Sequence, residues 1–277
     1  MRRALLLGAS LLMGGCAWGP GQGFAVIEPT VRAAYAPVAG RAAGDGYEWL
    51  STDYQVRVDE ASLQLSGITL QASASGGGSF DPANPPPGYS LCHGGHCHRD
   101  DGALIDYADI AAELGGGGGP STVVTLSTPD PLALLAPETR PLTCAPDCAL
   151  PEAQVSRSNW TVRTLRLSGI IRDGRVPARF SGERRFVVSL TPSATASSVA
   201  AMGGSLTLAS DRVTPPETRL ALNVTLTAAL FDGMDWEALV LNKTVVDFND
   251  DQSKAARALF LEHLSQISPT AEVTHGR

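Results

Sequence analysis

The sequence predicts a mainly β fold: an antiparallel, sandwich-like domain with one short helix and one C-terminal helix. Three observations carry that expectation. Apolar and polar residues alternate with period two in several runs, most cleanly at Leu220, Leu222, Val224 and Leu226, as when one face of a sheet is buried. Segments rich in glycine and proline separate those runs. Helical spacing is sustained near the C-terminus, where Ala256, Leu259, Phe260, Leu264 and Ile267 share a face behind an Asn249 cap with Gln252 three residues on.

Along the chain, the segment from Ala17 to about Asp45 is rich in Gly, Ala and Pro and reads as a tether, with Phe24, Val26 and Ile27 as a short edge strand inside it. Alternation begins near Trp49 and runs through Val56 and Val58, Leu63 and Leu65, Ile68 and Leu70. Ser73 to Gly88, with three consecutive glycines and three consecutive prolines, excludes regular structure. It delivers the chain into a Cys/His loop at 89–101. A short helix is expected next, capped by Asp106, with Asp109 at its third position and Ile110 and Leu114 on one face. Gly115 to Pro120 ends it. Val123 to Leu126 reads as a strand, and the loop from Pro129 to Pro151 carries Cys144 and Cys148.

Trp160 to Ile171, Arg179 to Leu190, Gly204 to Ala209 and Arg219 to Thr227 are further strands, with Asp173-Gly174 as a hairpin turn between the first two. Leu63-Gln64-Leu65-Ser66-Gly67-Ile68 echoes Leu165-Arg166-Leu167-Ser168-Gly169-Ile170, as equivalent strands in two halves of a sandwich would. The expected organisation is a signal peptide over 1–15, a lipidated tether over 16–45 and one β-rich domain over 46–277.

The N-terminal expectation rests on Arg2 and Arg3, an apolar run from Ala4 to Met13, and then Gly14-Gly15-Cys16. The run is too short to span a bilayer. Leu12-Met13-Gly14-Gly15-Cys16 resembles the lipobox of bacterial lipoproteins, with Met13 where Leu is commoner. The resemblance covers these first residues alone. It implies a lipid on Cys16 and, with Ala17 rather than Asp following, an outer-membrane lipoprotein of the bacterial cell envelope, periplasmic or surface-facing. Removing residues 1–15 takes two of the 21 basic residues and none of the 28 acidic ones, so the net charge goes from −7 to −9. That argues against nucleic acid as a partner. The expected contacts are the membrane through the anchor and an envelope protein.

Chemistry concentrates in one heptad, Cys92-His93-Gly94-Gly95-His96-Cys97-His98. Imidazole and thiolate suit borderline and soft transition metals, and the two glycines let a short loop fold back on itself. Outside the cytoplasm, four cysteines in two close pairs read first as disulfides, most simply Cys92–Cys97 and Cys144–Cys148, although three connectivities exist. A bridged Cys92–Cys97 would present His93, His96 and His98 as a preorganised cluster for copper or zinc, with Asp100 and Asp101 nearby as carboxylates. Reduced, Cys92 and Cys97 would serve as further ligands.

Cys92-x4-Cys97-His98 also resembles the longer-spaced haem c attachment motif of some multihaem cytochromes, with His263 as the best available distal ligand. A third alternative is a structural or protein-interaction lipoprotein whose cysteines are disulfides only. No nucleophile elbow, zincin motif or phosphate-cradling loop is present, so no catalytic constellation supports an enzyme.

Overall fold

The computed structural model describes residues 25–72, 82–93, 96–100, 103–107, 109–110, 121–128, 130–150, 155–208 and 216–275. Cys16 and the rest of the N-terminal segment, Asp101, Leu114 and the glycine run at 115–119 lie outside them. Strand β1 (Ala25–Tyr35) leads through the short β2 (Ala42–Gly44) and β3 (Tyr47–Trp49) into β4 (Tyr54–Ala72). Three strands then stand apart from the main body: β5 (Tyr89–His93), β6 (His96–Arg99) and β7 (Leu104–Asp106). β8 (Ser121–Ser127) rejoins it, followed by four short pieces, β9 (Leu132–Ala133), β10 (Arg140–Pro141), β11 (Thr143–Ala145) and β12 (Ala149–Leu150). The long β13 (Val155–Asp173), β14 (Glu183–Leu190), β15 (Ala200–Ser205) and β16 (Glu217–Leu226) come next. The chain closes with α1 (Trp236–Val240), β17 (Val245–Asp247), α2 (Lys254–Ser265) and β18 (Thr270–His275).

The fold is mainly β, as expected. One sheet runs β10-β1-β16-β18, with β12 also on β1; the larger runs β11-β8-β4-β13-β14-β17, with β15 on β13 and β3 and β9 on β4. Most pairs are antiparallel, but β1 lies parallel to β16 and β14 parallel to β17. Period-two burial turns one side of each sheet inward: Ile27 and Val31 of β1 and Leu220, Leu222 and Val224 of β16 join Leu63, Leu70, Val162, Leu165 and Val188 in one apolar core. An aromatic group of Phe186, Phe231, Trp236, Phe248 and Phe260 fills one part of it, with ring centroids 5.0–6.3 Å apart. No helix among the described residues is long and apolar enough to cross a membrane.

Several elements differ from expectation. Residues 25–35 are not tether but an interior strand: Ala25, Ile27, Val31 and Ala33 are buried, and alanines at inward positions hide the alternation from a reading of composition. Asp173-Gly174 does not form a two-residue turn. The Asp173 carboxylate instead organises the longer connection to β14, accepting from the Arg175 and Arg179 backbone N–H groups at 3.0 and 2.6 Å. β15 lies at 200–205 rather than 204–209, its inward positions being Met202 and Gly204. The echoed hexapeptides are not in opposite sheets. They are antiparallel neighbours, Leu63 facing Leu165 at the centre of the larger sheet. The terminal helix is present, but Asn249 does not cap it; a 3₁₀ turn over Asp251–Ser253, led by Asp250, precedes α2, and Ala256, Phe260 and Leu264 face the core.

Candidate functional site

The Cys/His segment is a β-hairpin rather than an irregular loop. β5 and β6 pair Tyr89 with Arg99, Ser90 with His98, Cys92 with Cys97 and His93 with His96. Gly94 and Gly95, between the two strands in sequence, lie outside the described residues. Between Ser90 and Cys92 the register slips by one residue. The extra residue, Leu91, takes a left-handed φ of 39° and leaves its side chain in solvent. The slip brings Cys92 opposite Cys97.

The two cysteines form a disulfide with Cα atoms 4.0 Å apart, and Cys97 is fully buried. Alternation along β6 then places His96 and His98 on the other side, both half-buried, with ring centroids 5.8 Å apart. β7 completes this three-stranded sheet and sets Asp106 opposite His96, Ile105 opposite Cys97 and Leu104 opposite His98. Asp106 is the last residue of β7 and directly precedes helical Tyr107, the position expected of it from the sequence. Tyr107, Asp109 and Ile110 are helical, and Ile110 is fully buried.

Arg157 of β13 ties this small sheet to the large one. Its Nη1 lies 2.9 Å from Asp109 Oδ1 and its Nη2 lies 3.5 Å from Asp106 Oδ2. A polar cleft of about 480 Å³ opens beside the joint, lined by Gln71, Asp106, Arg157, Asn159, Ser205 and Ser268 among others. Neither Asp106 nor Arg157 was legible as a site residue, because a side-chain contact between two separate sheets brings them together across about fifty positions of sequence. Asp100 lies in the turn after β6, its N–H donating to the Gly88 carbonyl at 3.0 Å.

Cys144 and Cys148 form the second disulfide, Cα atoms 5.2 Å apart, so the pairing is local in both cases. This bridge spans a change of sheet: β11 pairs with β8 in the larger sheet, and β12 pairs with β1 in the smaller one. His263 of α2 has its Nδ1 3.2 Å from the Leu230 carbonyl oxygen. Thioether attachment of a haem would need both sulfurs that are joined in the Cys92–Cys97 bridge. Among the described residues, no three His, Cys, Asp or Glu side chains stand close enough together to hold a metal ion. No family model, curated protein or solved structure matches the chain.

Proposed function

We propose that this chain is a lipid-anchored protein of the bacterial envelope, held through Cys16, that binds Cu(II) or Zn(II) on the 92–98 hairpin for sequestration, delivery or sensing. The observation that supports it most is the pairing of His96 and His98 on one face of a strand whose other face is clamped by the Cys92–Cys97 disulfide. Imidazole is a good donor for both metals, and a ligand pair already ordered by its backbone loses little entropy on binding. His93, paired with His96 in the register, is the third imidazole of the set. The disulfides are consistent with an oxidising compartment, and the charge of −7 turns the protein away from nucleic acid. Its other partner is a protein of the same envelope.

Calorimetric titration with Cu(II) and Zn(II) tests the reading, with wild-type protein set beside a His93→Ala/His96→Ala/His98→Ala variant. Saturable binding lost in the variant supports it; equally weak binding by both removes it. The second reading, a structural or protein-interaction lipoprotein stapled by its cysteines, is favoured by the formation of both local disulfides without a gathered donor set among the described residues. Non-reducing mass spectrometry of the same sample reports the bridges, and any covalent haem by its added mass.

A further inference from the structure

We infer that Asp106 is the carboxylate ligand of the hairpin metal site, and that Arg157 holds it in reserve until a metal arrives. This rests on the metal-binding reading above. The register supplies the geometry. His96 and His98 are two apart on β6 and so share a face, and Asp106 of β7 sits directly opposite His96. Directly opposed residues in an antiparallel pair have Cβ atoms about 4.5–5.5 Å apart, within reach of one ion for an imidazole and a carboxylate. On the far side of β6, His93 of β5 is paired with the same His96. A row of positions 93, 96 and 106 thus crosses three adjacent strands, with position 98 next along the middle one.

The chemistry favours the carboxylate. Neutral imidazoles leave both charges of a divalent ion uncompensated, and a His-and-carboxylate set is a familiar one for zinc. Here the carboxylate is engaged elsewhere: Asp106 Oδ2 faces Arg157 Nη2 at 3.5 Å. That contact is long, and the Asp106 side chain is 66% exposed, so water screens it. Arg157 keeps a shorter contact, 2.9 Å, to Asp109. Releasing Asp106 therefore leaves the guanidinium paired, and rotation of one aspartate side chain closes the donor set. Arg99, on β6 beside His98, and Asp100 are the other charged groups of the sheet. Neither stands opposite His96 in the register.

Zn(II) affinity of the full chain in detergent, measured by competition with a chromophoric chelator, tests this with four proteins. Wild type should bind. His96→Ala/His98→Ala should not. Asp106→Asn, nearly the same shape without the charge, should bind on the order of tenfold or more weakly. Arg157→Gln, which breaks the same ion pair but frees the carboxylate, should bind several times more tightly than wild type. Asp106→Asn equal to wild type, with the histidine variant still defective, overturns the role of Asp106 and leaves the metal reading standing. Weaker binding by both Asp106→Asn and Arg157→Gln also overturns it, since the pair would then act only by docking the sheet. Wild type no better than the histidine variant removes the metal reading and this inference together.

Discussion

Removing the Cys92–Cys97 bridge, as Cys92→Ala/Cys97→Ala, should loosen the hairpin while sparing the sandwich. The bridge joins residues five apart, and closing so short a loop removes about 2 kcal/mol of chain entropy from the open hairpin. Opening should then be roughly thirtyfold more frequent, a tenfold change being about 1.4 kcal/mol. The effect stays local because β5, β6 and β7 form their own sheet, tied to β13 through Arg157. Hydrogen exchange read by mass spectrometry over peptides spanning 89–106 should quicken by about that factor, with the melting midpoint lowered by less than about 2 °C. Unchanged exchange would show that register and packing alone hold the hairpin. A large fall in the midpoint would show that the hairpin belongs to the global folding unit. Either result refutes the reasoning.

Two further predictions concern the scaffold. The Asp173 carboxylate, shut off from solvent, accepts from Arg175 Nε and Nη2, both at 2.8 Å, and this guanidinium holds it well below the usual carboxylate range. A depressed acid stabilises the fold above its unfolded value, near pH 4, and that contribution fades as pH falls towards its folded value. Asp173→Asn should therefore melt roughly 5 °C below wild type at pH 7, with the gap shrinking below about pH 4 in thermal melts across a pH series. At Gly169, an added methyl would run into the Arg57 carbonyl oxygen and the Phe186 ring, whereas at Gly203 it would meet nothing within 4 Å. Gly169→Ala should cost about 1–3 kcal/mol in urea unfolding and Gly203→Ala close to nothing.

Strands whose inward residues are large were legible in the sequence. β16 and β13 announce themselves through leucines, valines and Trp160 at alternate positions. β1 and β15 mix Ile27, Val31 and Met202 with alanine, proline and glycine at inward positions, so their pattern is fainter although their pairing is extensive. At the hairpin the residue types were visible and the spatial order was not. The disulfide follows from spacing; the shared face of His96 and His98 follows only once residues 96–99 are known to form a strand. Arg157 and Asp106 meet through tertiary pairing, which no local spacing encodes.

The parallel pairing of β1 with β16 sets a timetable for the nascent chain. Glu28 and Arg219, adjacent in the register, are 191 residues apart. A ribosome adding about 5–20 residues per second needs roughly 10–40 s to supply the second partner after the first. Among the described residues synthesised in that interval, β1 pairs only with the brief β10 and β12, at 140–141 and 149–150. Closure of the smaller sheet is a late, long-range event, and β1 stays open to trapping or to a chaperone until most of the polypeptide exists.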